Sequence, residues 1–435
     1  MTICESLHTG LARRELLRLG VLAGIGAAFA PRLAFAASDP SLTPKVDAMI
    51  ARWVGPGKFP GIVASFGLPG HDPQFTARGS DGFNDPDAMT PDSLFRIYSM
   101  TKPVTGMAAM VLVGEGKLKL DQPVSDILPK FANMQVQVTP DGSITELKPA
   151  KTSITIRQLI THTSGLGYSI IQRGPLRAAY EDKGLVPGLF SRTQVAGLFR
   201  GVPVNSLELF ADRLADMPLV YEPGTRWSYS VGLDLMGRVI EVVSGKAFDQ
   251  FLKERIFDPC GMNSTFFQVP QSEAGRLTTN HAAVGNILVP IDTGKESVYL
   301  DKPPFPFGGA GLVSSARDYD RFLRMLAQHG TIGGHRVIGE QAVRIGTANL
   351  LPAGVQGPAM MGPASDFGAG GRVGIGAESG LFGWAGAAGT VAGVDMKRGI
   401  RMGLYLQFTP PNALPVLGEY QEALRQDLMA LMAAA

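Results

Sequence analysis

The stretch that decides the reading runs Phe95-Arg96-Ile97-Tyr98-Ser99-Met100-Thr101-Lys102-Pro103-Val104, and Thr105 to Gly116 continue it as TGMAAMVLVGEG. A lysine stands three places after a serine, at the mouth of an otherwise apolar segment. The spacing predicts a buried helix over Met100 to Val113. Proline is tolerated only in a first helical turn, so Pro103 places Ser99 at or near the helix start. Side chains at i and i+3 share a face, with Cβ atoms about 5–6 Å apart. Lys102 can therefore reach back to the Ser99 hydroxyl. A lysine stripped of water gives up its proton more readily, and a neutral amine can activate a serine as a nucleophile. The alternative is a capping serine with a lysine whose stem packs while its head reaches water. This is the only Ser-x-x-Lys in the chain, and it opens the most apolar helix.

Outward from that stretch, the remaining pattern sets the architecture. A helix is predicted from Pro44 to Val54, with Val46, Met49, Ile50 and Trp53 on one face. Gly61 to Gly67 (GIVASFG) reads as a strand, with Phe75 to Ser80 (FTARGS) as its hairpin partner. A short helix is expected from Ile156. Leu235, Met236, Val239, Ile240 and Val243 recur at helical spacing, and Ser244-Gly245 stops that helix. Tyr319 to Leu326 is amphipathic. Strand signals return at Leu381 to Met396 and Ile400 to Phe408, and a closing helix is expected from about Glu419 to Met432. Strands at both ends and helices between them predict an α+β protein. Its antiparallel sheet would be built from the two termini, with helical structure inserted and a cleft at the junction.

The 435 residues are 45% hydrophobic and 18% charged, with net charge +2 and no basic block. A large core is possible, and nucleic acid is not an expected partner. Arg13-Arg14, an apolar run from Leu19 to Phe29, and Ala34-Phe35-Ala36 stand in the order of a twin-arginine export signal, residues 1–36, cleaved near Ala36 or Ala37. Export would place the mature chain in the periplasm or outside the cell, and no integral span is expected in it. Cys4 would leave with the signal, and Cys260 would stand alone as a small packed side chain. His71, His281, His329 and His335 show no ligand spacing, and neither His-Glu-x-x-His nor Gly-x-Ser-x-Gly occurs. Neither metal nor cofactor is expected. His162 reads as a residue that orders its loop.

Further stretches stand in order along the chain: Leu94 to Val124, Ile154 to Tyr168 (ITIRQLITHTSGLGY), Tyr221 to Gly245 (YEPGTRWSYSVGLDLMGRVIEVVSG), Gly261 to Phe267 (GMNSTFF) and Gly308 to Leu326 (GGAGLVSSARDYDRFLRML). With Ser-x-x-Lys they make the chain resemble the serine β-lactamase-like hydrolases: class C β-lactamases, D-alanyl-D-alanine carboxypeptidases and family VIII carboxylesterases. The resemblance runs from about Lys45 to Phe408. It implies the β-lactamase/penicillin-binding-protein-like fold, an antiparallel sheet flanked by helices plus an inserted all-helical domain. The sheet domain would comprise residues 37–98 and 300–435, and the helical domain residues 99–299. It also implies an acyl-enzyme on Ser99, with Lys102 as partner base and no cofactor.

The family's Tyr-x-Asn motif corresponds to Tyr229-Ser230-Val231, which makes Tyr229 the third catalytic residue and proton relay. Its Lys/His-Thr/Ser-Gly motif corresponds to Trp384-Ala385-Gly386. The backbone N–H groups of Ser99 and Ala387 would then form the oxyanion hole. Val231 stands for the usual Asn and Trp384 for the usual cation, so Val231, Trp384 and Gly386 would line a substrate site with less polar recognition. A small-molecule ester or amide is the implied partner, with a short-chain ester favoured. The alternatives are a β-lactamase or carboxypeptidase, or a penicillin-recognising sensor that acylates without turnover.

Overall fold

The computed structural model describes residues 40–192, 200–285, 287–358 and 365–434. The expected export signal, with Arg13-Arg14, lies outside the described residues.

The strand predicted at Gly61–Gly67 (β1) forms with the predicted bounds, followed by Gln74–Gly82 (β2) and Asp85–Ala88 (β3). Late in the chain come Asp366–Phe367 (β4), Arg372–Val373 (β5), Leu381–Ala385 (β6), Val391–Asp395 (β7) and Ile400–Tyr405 (β8). They make one eight-stranded antiparallel sheet in the order β4-β5-β6-β7-β8-β1-β2-β3. The two ends of the chain meet at its centre, where Val63 pairs with Tyr405 and Phe66 with Met402.

β1 is buried along its whole length because helices cover both faces. Ile62, Ala64 and Phe66 pack with helices Pro44–Trp53 (α1) and Val416–Ala434, while Val63 points into the main core with Tyr319, Phe322 and Leu326 of Ala316–Ala327. Alternation along a strand divides its side chains between the two layers in this way. Three further helices matter for the site: Thr101–Gly114 (α2), Gly232–Ser244 (α3) and Ala316–Ala327 (α4), with Val416–Ala434 as α5. The start of α1 has no cap of its own. Asp427 of α5 accepts from the Lys45 and Val46 N–H groups, each at 3.0 Å, tying the first helix to the last.

The stretch 99–299 is mainly helical but not helical throughout. Gln135–Gln137 pairs with Leu147–Pro149, and Asn280–Val284 forms a hairpin with Ile287–Asp292. Phe408–Thr409 joins that hairpin in parallel, so the end of this stretch packs with the C-terminal strands. Among the described residues no helix is long and apolar enough to cross a membrane.

Arg96, three residues before Ser99, anchors this junction. The short strand Leu94–Arg96 pairs with Val313–Ser315, and the Arg96 guanidinium lies fully buried against Asp292. Its Nε donates to Asp292 Oδ2 at 2.8 Å, and the Ser297 hydroxyl donates to the same oxygen at 2.6 Å. Gln407 accepts from the Arg96 N–H at 3.0 Å and donates to the Arg96 carbonyl at 3.1 Å. Removing one partner of such a pair strands the other charge in the core. Arg96→Met is therefore expected to cost about 3–5 kcal/mol of stability. Urea unfolding measures this. A loss below about 1 kcal/mol would mean that Asp292 finds other partners.

Candidate active site

Ser99 sits in a 3-10 turn, Tyr98–Met100, that leads directly into α2. The predicted helix start is correct to within a turn, with Pro103 in the first turn of α2 as required. The backbone of Tyr98 has φ +40°, in the left-handed region that a side chain adopts at a cost of about 1–3 kcal/mol. Burial holds it there. The Tyr98 ring stacks on Phe190 at 4.5 Å, and its hydroxyl accepts from Asn280 Nδ2 at 3.2 Å. The turn presents Ser99 half-exposed while its neighbours Tyr98 and Met100 are buried.

Lys102 has no exposed surface. Its Nζ donates to Ser99 Oγ at 3.2 Å and to the Gly309 carbonyl at 2.7 Å, and it lies 4.5 Å from the Tyr229 ring centroid and 5.5 Å from that of Tyr168. An aromatic face is a favourable neighbour for a desolvated ammonium. The structure thus brings Ser99, Lys102 and Tyr229 together. Tyr168 was quoted in the sequence without a role, and it completes the aromatic wall.

Tyr229 precedes α3 and is held by His162. The Ser228 N–H donates to the His162 carbonyl at 2.9 Å, and the Ser230 N–H donates to His162 Nδ1 at 3.2 Å, so one residue grips both neighbours of the tyrosine. The His162 ring also lies 4.7 Å from the Tyr229 ring. Burial, with Lys102 nearby, holds this imidazole well below its usual range, hence neutral. This is a loop-ordering arrangement.

Trp384, on β6, is buried, and its indole N–H donates to the Tyr229 hydroxyl oxygen at 3.2 Å. The sequence suggested only the absence of a cation at this position, not this donor. Gly386 follows that strand and lies against the Tyr98–Met100 turn. A Cβ there would lie 2.4 Å from the Ile97 carbonyl and 2.2 Å from Thr390 Oγ1, so no side chain fits. Ala387, half-buried, packs in the apolar cluster that contains Tyr98. Val231 is fully buried; its N–H donates to the Gly167 carbonyl at 3.2 Å, and its side chain belongs to the core. It therefore presents no surface at which a substrate could be held.

Asp234, also unassigned by the sequence, is buried beside Lys102. Burial pushes its carboxyl up to about 6, opposed chiefly by the lysine's charge. Among the described residues no cluster of three or more His, Cys, Asp or Glu could hold a metal ion.

A serine and a buried lysine stand at the head of one helix, faced by a tyrosine on the loop before another and by the end of a strand. The Beta-lactamase family model matches residues 46–426, and the chain belongs to that family. It is 35% identical over 267 residues to Protein Rv1367c of Mycobacterium tuberculosis, a match that covers 61% of this chain and spans about three-fifths (62%) of that relative. It is 29% identical over 311 residues to Esterase EstB of Burkholderia gladioli, covering 67% of this chain and 72% of that protein. Among solved structures, EstCE1, described as a hydrolase with promiscuous acyltransferase activity, superposes with TM-score 0.70 at 24% identity over 88% of this chain and 98% of the other. The fold is the β-lactamase/penicillin-binding-protein-like α+β fold.

The neutral state of His162 has a consequence for stability. Its folded-state pKa is depressed, so its contribution is present above the unfolded value of about 6.5 and is lost as pH falls below it. His162→Gln lacks this titration. Between pH 6 and 5 the wild type should lose up to about 1.4 kcal/mol per pH unit more than the variant. Parallel slopes in chemical unfolding at the two pH values would show that His162 is already charged in the folded protein.

Proposed function

We propose that the protein is a serine hydrolase that works through an acyl-enzyme on Ser99 and acts on uncharged, short-chain carboxylic esters. The observation that carries this reading is the fully buried Lys102 amine, 3.2 Å from the Ser99 hydroxyl in a wall of tyrosines. The Ser99 oxygen attacks the ester carbonyl as its proton passes to Lys102. The charge on the carbonyl oxygen falls to the Ser99 and Ala387 N–H groups. Tyr229, adjoining Lys102, relays a proton to the departing alcohol and then helps a water attack the acyl-enzyme.

The preference for esters rests on what the site offers a substrate. Trp384 supplies a neutral indole already engaged with Tyr229 where a cation would stand. A site that recognises its substrate by buried hydrogen bonds can discriminate by roughly 10⁴ or more, whereas apolar contacts reach about 10–200-fold per methylene. Tolerance toward acyl groups follows. The esterase name of EstB supports the same reading. A β-lactamase, a D-alanyl-D-alanine carboxypeptidase and a non-turnover sensor are the outcomes that the test must separate.

Ser99→Ala should abolish the covalent adduct seen by intact mass after treatment with a phosphonate, with the fold unchanged. Tyr229→Phe should lower kcat on p-nitrophenyl esters by about 10²–10⁴. The panel compares short and long p-nitrophenyl esters with a chromogenic cephalosporin and a D-Ala-D-Ala peptide. A wild-type kcat/KM for either of the last two above that for every ester overturns the ester assignment. A single burst per chain without turnover identifies a sensor.

We also propose export by the twin-arginine route, on the sequence order of Arg13-Arg14, the apolar run and Ala34-Phe35-Ala36. Replacing both arginines by lysine should leave precursor in the cytoplasm. N-terminal sequencing of the native protein that still begins near Met1 would overturn the cleavage.

A further inference from the structure

Asp234 lies in the first turn of α3, between Leu233 and Leu235, and all three are buried. Packing alone does not explain a carboxylate there, since an apolar residue of that size avoids the desolvation cost. One of its oxygens, Oδ2, is buried without a hydrogen-bond partner. The other, Oδ1, accepts from the Gly309 N–H at 2.8 Å. The carbonyl of the same Gly309 accepts from Lys102 Nζ at 2.7 Å. A single glycine therefore joins the carboxylate to the amine, N–H toward the negative group and C=O toward the positive one. The glycine is required: a Cβ at residue 309 would lie 2.6 Å from Asp234 Oδ2. Gly308 is pinned beside it, its carbonyl accepting from Thr105 of α2 at 2.7 Å.

We infer that Asp234 is a positioning residue for Lys102, the buried counter-charge that holds the amine against Ser99 and stabilises the ammonium that forms when the serine gives up its proton. This rests on the reading of Lys102 as the base for Ser99. The groups that face the pair are Tyr168 from the 161–173 loop, Tyr229 ahead of α3, and the neutral His162, which senses the Lys102 charge. When protonated, Lys102 is the cation among these groups, and Asp234 is the carboxylate beside it.

The test has two arms. Asp234→Asn keeps an oxygen for the Gly309 N–H and removes the charge, with an amide nitrogen in place of the second oxygen. With p-nitrophenyl butyrate, the acid limb of its kcat/KM profile should move to lower pH by on the order of one unit, because an ammonium is held less tightly without a nearby carboxylate. KM should change little while kcat falls. A merely structural residue would lower the folded fraction without moving the limb. The second arm needs no activity. At pH 8, Lys102→Met strands the Asp234 carboxylate and lowers Tm, and adding Asp234→Asn should restore most of that loss. The double variant decides the matter even where Asp234→Asn alone fails to fold. A wild-type pH limb in Asp234→Asn, or Tm losses that simply add in the double variant, overturns the inference. Failure of Ser99 labelling would instead overturn the hydrolase reading, and the Tm cycle would still report on the charge pair.

Discussion

The constraint on which the site depends is a lysine with no access to water. A buried ammonium is tolerated only with close compensating partners, because desolvation costs several kcal/mol even after relaxation. Around Lys102 the partners are the Ser99 hydroxyl, the Gly309 carbonyl, two tyrosine rings and, through Gly309, the Asp234 carboxylate. Each comes from a different part of the chain. Ser99 and Lys102 share one helix start, Tyr168 and Tyr229 come from loops in the helical stretch, and Gly309 belongs to the return toward the sheet. Satisfying one amine therefore brings helix start, loops and the return toward the sheet together at one point.

Ser99 is fixed by a second device. Tyr98 occupies a disfavoured backbone region, and the fold pays for it with a stacked ring, a bonded hydroxyl and the Arg96 network behind it. Gly386 and Thr390 press against the Ile97 carbonyl from the other side. The turn is gripped from both flanks, so Ser99 points outward while Tyr98 and Met100 are held inside. Several of these contacts come from residues far along the chain, Gln407 and Thr390 among them.

What could be read in the sequence is what periodicity carries. α1, α3 and α4 were legible because one apolar face repeats with a single period, β1 because a short apolar run is bounded by glycines, and the Ser99–Lys102 proximity because i and i+3 share a helix face. The sequence places Ser99 at or near a helix start but does not show the Tyr98–Met100 turn, since a positive φ at a tyrosine has no signature in composition. No periodicity or motif in the sequence assigns Asp234 a role. The hint was available: an acidic residue at a position whose neighbours are all apolar, followed far downstream by the glycine run Gly308-Gly309. Arg96 with Asp292, and Trp384 with Tyr229, were illegible because each joins residues 155 or more apart through geometry that only the sheet register creates. Val231 was legible as a departure from the family pattern, but its complete burial was not.

The Trp384–Tyr229 contact bears on substrate class more directly than the loss of a cation. A lysine or histidine at residue 384 would hold positive charge near the tyrosine and favour a substrate carboxylate. The indole instead places a neutral donor on the phenolic oxygen at 3.2 Å and fills the adjoining space with ring, 5.9 Å from the Tyr229 ring and 5.3 Å from Phe367. The hydroxyl is thus oriented without a fixed external charge, and the charge that acts on Tyr229 is that of Lys102 beneath its face. An anionic substrate entering this enclosure would lose its hydration, and residue 384 would offer it no cation in return, a cost that a neutral ester does not incur. Under the proposed mechanism, the same tryptophan that positions the proton relay also selects against charge in the substrate.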